Sequence, residues 1–347
     1  MKIDLRTRDG DSAFETDSGE KILHAGLRAG LPLPCECGTG TCGTCKARLL
    51  DGDIVDEWPG APGRSSLKHD AGEFLMCQSV ARTDCAIEIA GAAKTKSVHA
   101  TAPGRMKGVI RRAVPLTHDV ALLELDLSRP LDFEAGQFVL MSVAGIVGAR
   151  AYSMVNFEPA TRRLVLVIKK KPGGGLSEWL FANDVAGVDV ALFGPLGAAT
   201  FHPDLDRNLL CVAGGSGIAG MMSILSRATQ TGHFERHTGD VFFGVRTRRD
   251  VFFLEELAEF QARAPETLRV TIALSDEDVD PTLVDRHPRC GFGTGFVHAV
   301  AAERMQGRFT NVRAYAAGPP PMVNATLRML LLQGKLKPDE IRYDKFS

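Results

Sequence analysis

Three cysteines stand close together at Cys37, Cys42 and Cys45, and a fourth, Cys77, follows after 31 further residues. The pattern C-x4-C-x2-C…C is the spacing under which four thiolates hold a [2Fe–2S] cluster. Two tetrahedral irons need four sulfur ligands, and three of them in one loop can wrap the cluster only if the backbone turns tightly. Gly38, Gly40 and Gly43 supply that freedom and let amide N–H groups approach the sulfurs. A zinc site would want a second C-x2-C or a Cys/His pair, and Cys77, Cys85, Cys211 and Cys290 stand singly. A disulfide framework suits short secreted chains rather than 347 residues, and Met1 to Glu20 carry no charged-then-apolar leader. Cys35 sits two residues before Cys37 and competes as a ligand; only the register that starts at Cys37 gives x4 then x2, so Cys35 reads as a bystander.

Two further clusters carry chemistry. Arg150, Ala151, Tyr152 and Ser153 put a bidentate cation, a flat aromatic ring and a hydroxyl on one strand. Lys171 to Ser177 is a glycine loop (Gly174, Gly175, Leu176, Ser177) opening a helix from Ser177 to Ala182, whose amides suit a phosphate. Later, Gly214, Gly215, Ser216 and Gly217 form a turn between an apolar strand (208–213) and a helix (221–229), and Gly215-x-Gly217-x-x-Gly220 matches the dinucleotide fingerprint. The acidic ribose partner expected at the end of the next strand is missing; Arg246, Thr247, Arg248 and Arg249 stand there, and an arginine suits a 2′-phosphate equally. Gly318, Pro319, Pro320 and Met322 repeat the strand, turn and helix at the last strand. The nine histidines are read as forming no i, i+4 pair or metal spacing and as surface or core residues, including His298 on its helix.

Elements must position these groups. Residues 2–6 alternate like an edge strand, 20–29 have helical spacing, and 46–50, 74–80 and 85–89 read as strands of a small β-grasp module. Residues 91–105 lack periodicity and read as a flexible linker that lets a tethered electron carrier move between donor and acceptor. Short β-segments at 120–127, 137–143, 151–155, 164–169 and 188–193 suggest an antiparallel barrel. After residue 203 strands (208–213, 241–245, 268–274, 313–317) alternate with helices (254–263, 297–305, 321–333), the rhythm of a doubly wound parallel sheet. The fold class expected is therefore multidomain α+β and α/β, with domains at 1–93, 105–203 and 204–347 and a linker at 94–104.

Hydrophobic residues make up 44% and charged ones 24%, ordinary for a globular chain, and no apolar run reaches the ~18 residues of a membrane span. Residues 1–93 hold 10 basic against 15 acidic side chains, leaving 31 against 27 for the rest, an asymmetry that suits docking between redox partners or marks a merely solvated acidic face. With no basic run, nucleic acid is excluded as a partner. A cytoplasmic monomer is expected.

Together these motifs, in this order, resemble the reductase component of bacterial multicomponent aromatic-ring mono- and dioxygenases, a plant-type ferredoxin fused to a ferredoxin-NADP-reductase-like flavoprotein. The resemblance covers essentially the whole chain. It implies FAD, a [2Fe–2S] cluster and NADH, with NADPH a possible substitute. Arg150 would contact the FAD pyrophosphate, Tyr152 would pack on the flavin and Ser153 would lie near its N5, so that Tyr152 and Ser153 are the expected catalytic pair. Ala151 and Leu176 would line the FAD; Gly174, Gly175 and Ser177 would bind its phosphate, and the terminal Phe346 would shield the flavin. Gly214 to Gly217, Arg246 and Gly318 to Met322 would line the pyridine nucleotide. Ala317 stands where the family usually has Cys, and Gly220 where it often has Pro. The implied activity is hydride transfer from NADH to FAD, then single electrons through the cluster to a terminal oxygenase, diiron or Rieske, or to its ferredoxin. A reductase serving a cytochrome P450 and a non-catalytic iron–sulfur redox sensor are the alternatives.

Overall fold

A computed structural model describes residues 1–90 and 101–346. Most of the expected linker, including residues 94–100, lies outside them. The chain divides into two compact units: residues 1–107 with 138–151 and 190–197, and residues 108–137 with 152–189 and 198–347.

The first unit opens with β1 (Lys2–Thr7), β2 (Gly10–Glu15), α1 (Ile22–Arg28), β3 (Lys46–Asp51), β4 (Ile54–Asp56), β5 (Glu73–Leu75), β6 (Ser79–Ala81) and β7 (Cys85–Glu88). Alternation decides β1: Ile3 and Leu5 are fully buried while Lys2, Asp4 and Arg6 face out. The sheet runs β2-β1-β7-β3-β5 and is mixed, because β1 and β7 pair in parallel while β1–β2, β3–β7 and β3–β5 are antiparallel. Helix α1 buries Ile22, Leu23, Ala25 and Leu27 and stops at Gly30, which takes the left-handed conformation (φ +78°) that ends helices. The expected single strand over 74–80 is broken: Cys77 sits in a turn between β5 and β6, with Gln78 N bonded to Leu75 O.

The next segment holds β8 (Gly104–Pro115), β9 (Val120–Leu131), β10 (Phe138–Val143), β11 (Arg150–Ser153), β12 (Thr161–Lys169), α2 (Gly175–Ala182) and β13 (Asp189–Leu196). In the first unit β10 and β13 pair antiparallel; in the second, β8, β9 and β12 do, with Leu123 opposite Leu166 and Leu125 opposite Leu164 at the centre. The sequence led to the expectation of an antiparallel barrel, and these antiparallel strands are those of a half-barrel.

The remainder of the second unit comprises β14 (Asn208–Gly214), α3 (Ile218–Gln230), β15 (Gly239–Val245), α4 (Leu254–Arg263), β16 (Leu268–Leu274), α5 (Pro281–Arg286), β17 (Gly291–Thr294), α6 (Val297–Arg304), β18 (Val312–Gly318), α7 (Pro320–Leu332) and β19 (Ile341–Lys345). Its sheet, ordered β17-β16-β15-β14-β18-β19, is parallel throughout. Leu209 to Ala213 are all buried, as a strand covered on both faces requires. At the start of β15 the buried Asp240 carboxylate accepts from Arg269 Nε (2.9 Å) and Arg308 Nη1 (3.0 Å), so an otherwise costly charge is paired twice. Strands β2, β8, β17 and β19 and helix α5 are not evident from the sequence pattern. Helix α3 starts at Ile218 rather than 221 and runs through Gly220, and α2 starts at Gly175 rather than Ser177.

Candidate functional site

The cysteine loop lies between α1 and β3, and the turn after β5 brings Cys77 to it: Met76 N donates to Cys45 O at 3.0 Å. The four sulfurs form two adjoining pairs. The Cys37 thiol is held well below its usual range, first by a hydrogen bond from Cys42, and donation to Cys37 pushes the Cys42 thiol up in return. Cys45 and Cys77 repeat this, Cys77 lowered by a bond from Cys45 and Cys45 raised by giving it. Amides reinforce the sulfurs, with Thr39 N donating to Cys37 Sγ (3.4 Å), Thr44 N to Cys42 Sγ (3.5 Å) and Gln78 Nε2 to Cys77 Sγ (3.6 Å). Gly38, Gly40 and Gly43 all have positive φ, which fits a chain folded tightly around a cluster. This donor set, two thiol pairs ringed by N–H groups, suits two irons bridged by sulfide. Cys35 packs against the same core, and its thiol is pushed up first by burial and then by the neighbouring Cys37 and Cys77. Gln78 went unnoticed in the sequence, although its place beside Cys77 was the available signal.

Cys42 is exposed, whereas Cys37, Cys45 and Cys77 are buried. The loop's other side is covered: a Cβ added to Gly38 would lie 3.0 Å from Leu140 Cδ1 on β10.

Strand β11 carries the second set. Arg150 and Ala151 end a segment of the first unit; Tyr152 and Ser153 open a segment of the second. Arg150 is half-buried and its Nη1 donates to the neighbouring Ala149 O (3.0 Å), a contact that leaves the rest of the guanidinium fork for an anion. Tyr152 is half-buried and Ser153 buried. Within the second unit Ser153 faces the first turn of α3, since a Cβ on Gly220 would lie 3.5 Å from Ser153 Cβ. At α2, Ser177 Oγ accepts from Lys171 N (3.0 Å) and donates to Gly174 O (3.2 Å), so the hydroxyl closes the glycine loop on itself. Glu178 takes Gly173 N (2.9 Å). No side chain caps the helix, and the amides of Gly175, Leu176 and Ser177 at its positive end suit a phosphate.

The parallel sheet reverses its strand order between β14 and β18, the crevice where doubly wound sheets bind nucleotides. Both glycine turns fall there. A Cβ on Gly217 would come within 2.2 Å of the Ala317 carbonyl oxygen, so only glycine fits there, and one on Gly214 would lie 2.9 Å from Met322 Cε, so the turns touch. Neither α3 nor α7 has a side-chain cap, so the α3 N-terminus meets the crevice bare, whereas α7 opens with Pro319, Pro320 and Pro321, which have no N–H to offer. Phe346 N donates to Gly318 O (3.1 Å), bringing the terminal aromatic to the same rim. Arg246 is exposed at the end of β15, while Arg248 pairs with Asp280. Asp250 accepts from Thr247 N and Oγ1 and is thereby committed to the turn.

One pair of histidines escaped the sequence reading. His233 and His237, four residues apart, stack with ring centroids 4.7 Å apart, and burial lowers His233 to about 4.

Family models agree with this division of labour. A 2Fe-2S iron–sulfur cluster binding domain matches residues 7–82, an oxidoreductase FAD-binding domain 107–201, and an oxidoreductase NAD-binding domain 211–328. The chain is 34% identical to the ferredoxin–NAD(P)+ reductase CarAd of Metapseudomonas resinovorans, over 97% of this chain and 98% of that one. It belongs to the reductase components of bacterial multicomponent mono- and dioxygenases. The ferredoxin–NAD+ reductase component of the alkene monooxygenase system of Xanthobacter autotrophicus is likewise 34% identical, over 99% of this chain and all of that one. Among solved structures, the ferredoxin reductase in carbazole 1,9a-dioxygenase superposes with a TM-score of 0.84 at 31% identity, covering 100% of this chain and 99% of that one. As a family member the chain transfers electrons from NAD(P)H by way of FAD and a [2Fe–2S] cluster to an oxygenase system. Among the described residues no helix is long and apolar enough to cross a membrane.

Proposed function

We propose that the chain is the NADH-consuming reductase of an aromatic-ring oxygenase, handing single electrons to a terminal component of diiron or Rieske type or to a small ferredoxin that serves it. The observation carrying this reading is the arrangement of four cysteine sulfurs as two pairs in a glycine-lined loop that shares a core with Ala149 and Ala151, the start of the Arg150–Ser153 strand.

Cys37 with Cys42, and Cys45 with Cys77, would each hold one iron. Arg150 would neutralise the FAD pyrophosphate, the amides of Gly175, Leu176 and Ser177 at the α2 terminus would take its phosphate while the Gly174 amide, bonded to Lys171 O (2.8 Å), shapes the loop, and Tyr152 would cover the ring. When bound, FAD supplies the exchange between a donor that gives hydride and an acceptor that takes one electron. Ser153 presents a buried hydroxyl that would hydrogen-bond the ring without titrating. Gly214 to Gly217 and Gly318 to Met322 would seat the pyridine nucleotide, with Phe346 covering the flavin when no nicotinamide is in place. We assign the domains to 1–93, 105–203 and 204–347, and the working form to a cytoplasmic monomer, where reducing conditions keep the cysteines as thiolate ligands.

Anaerobic titration of the purified protein with NADH, followed by its visible spectrum, tests the reading. Bleaching of flavin and iron–sulfur bands is expected. A protein that stays colourless after reconstitution with FAD, iron and sulfide would refute it, and bleaching without turnover on any electron acceptor would favour the redox-sensor reading.

A further inference from the structure

The sequence suggested that the cysteine-loop module swings on its linker. Contacts inside the first unit argue otherwise. Phe138 and Leu140 of β10 and Phe193 and Leu196 of β13 belong to one hydrophobic core with Ile22, Leu23, Leu75 and Met76 of the module. The His24 imidazole of α1 lies flat on Phe193, ring centroids 4.0 Å apart and planes 12° from parallel. Gly38, next to Cys37, packs on Leu140. A polar clasp stands beside the apolar ones: the buried Glu20 carboxylate accepts from Arg28 Nη2 (2.7 Å) and from Asp17 N (3.1 Å), and Arg105 Nη2 lies 3.6 Å from it. Arg105 is on β8, just beyond the expected linker.

We propose that the module works seated. Its own core, not the covalent tether, holds it on β10 and β13, and Leu140 and Phe193 are positioning residues that set the distance over which the module receives electrons. The external acceptor then comes to the rim that remains open, where Cys42 and Thr44 are exposed. Overall, one NADH reduces two ferric acceptor molecules such as cytochrome c, giving NAD+, one proton and two ferrous products, so that two single-electron transfers pass through the seated module per hydride. This rests on the functional reading above, but tests apart from it. Swinging modules separated from their bodies by a tether bury few apolar side chains at the junction, whereas here four large ones are shared.

A protease site inserted after Ala93 in the FAD- and cluster-loaded chain allows the tether to be cut. The two fragments are expected to co-elute on gel filtration at physiological salt and to reduce cytochrome c at the uncut rate. Fragments that separate, with loss of cytochrome c reduction, would overturn the proposal. In the uncut chain, Leu140→Ala with Phe193→Ala is expected to slow cytochrome c reduction about tenfold or more. Ferricyanide reduction and the electron paramagnetic resonance signal of the reduced cluster should stay as in the parent. An unchanged cytochrome c rate would remove the positioning role, and a changed resonance signal would show a structural lesion in place of a positional one. If neither parent nor variant holds chromophores, the functional reading fails rather than the seat.

Discussion

Gly217 stands so close to Ala317 that a methyl group on the glycine would meet the alanine carbonyl oxygen at 2.2 Å. The obstacle is backbone, which cannot rotate away, so the two turns would have to part. Gly217→Ala should therefore cost about 1–3 kcal/mol of stability and open the crevice. A melting temperature lowered by several degrees together with a raised KM for NADH is the expected outcome, with ferricyanide reduction falling only through KM. A variant with parental KM would show that the turns do not jointly hold the nucleotide.

Stacked against Phe193, His24 is driven from its ordinary 6.5 to about 4, chiefly by burial and then by Lys21, with Glu20 opposing and Arg105 adding to the shift. A depressed histidine pKa means that the unfolded chain binds the proton more readily. The stability this gives is fully present above pH 6.5, declines as pH falls towards 4, and amounts to about 3–4 kcal/mol at the limit. His24→Phe keeps an aromatic face on Phe193 and removes the titration. Its melting temperature should fall less than the parent's between pH 7 and pH 5; His233, lowered in the same way, leaves a residual slope in both.

Cys42→Ser and Cys35→Ser should separate ligand from bystander. Cys42 pairs with Cys37 and has Thr44 N on its sulfur, whereas Cys35 packs into the core. Visible iron–sulfur absorption is expected to be lost or strongly altered in Cys42→Ser and retained in Cys35→Ser; loss in Cys35→Ser as well would put Cys35 in the place of Cys37 as a ligand.

Arg246, exposed at the end of β15, stands where the 2′-phosphate would lie if NADPH took the place of NADH. A hydrogen bond to a charged group is worth about 1.5–3 kcal/mol, so Arg246→Ala should lower kcat/KM for NADPH about tenfold or more. NADH should lose much less. Equal losses for both nucleotides would place Arg246 elsewhere in the site.

The chemistry in this chain was legible wherever it lies in one contiguous stretch. Three cysteines in nine residues, Arg150 to Ser153 on one strand and Gly214 to Gly217 between strand and helix declare themselves because spacing alone sets which atoms converge. Buried strands such as 208–213 showed as apolar runs for the same reason. Edge strands did not: β17 is four residues with two glycines, β19 ends the chain among charges, and β8 has polar residues between its few buried ones, so their hydrogen bonds rather than their side chains define them. Tertiary structure alone decided that Gly217 meets Ala317, that Phe346 returns to Gly318, and that the cysteine module shares its core with β10 and β13. Periodicity records that a side chain is buried. It cannot record against what, because the partner is chosen by the packing of segments that lie far apart in the chain.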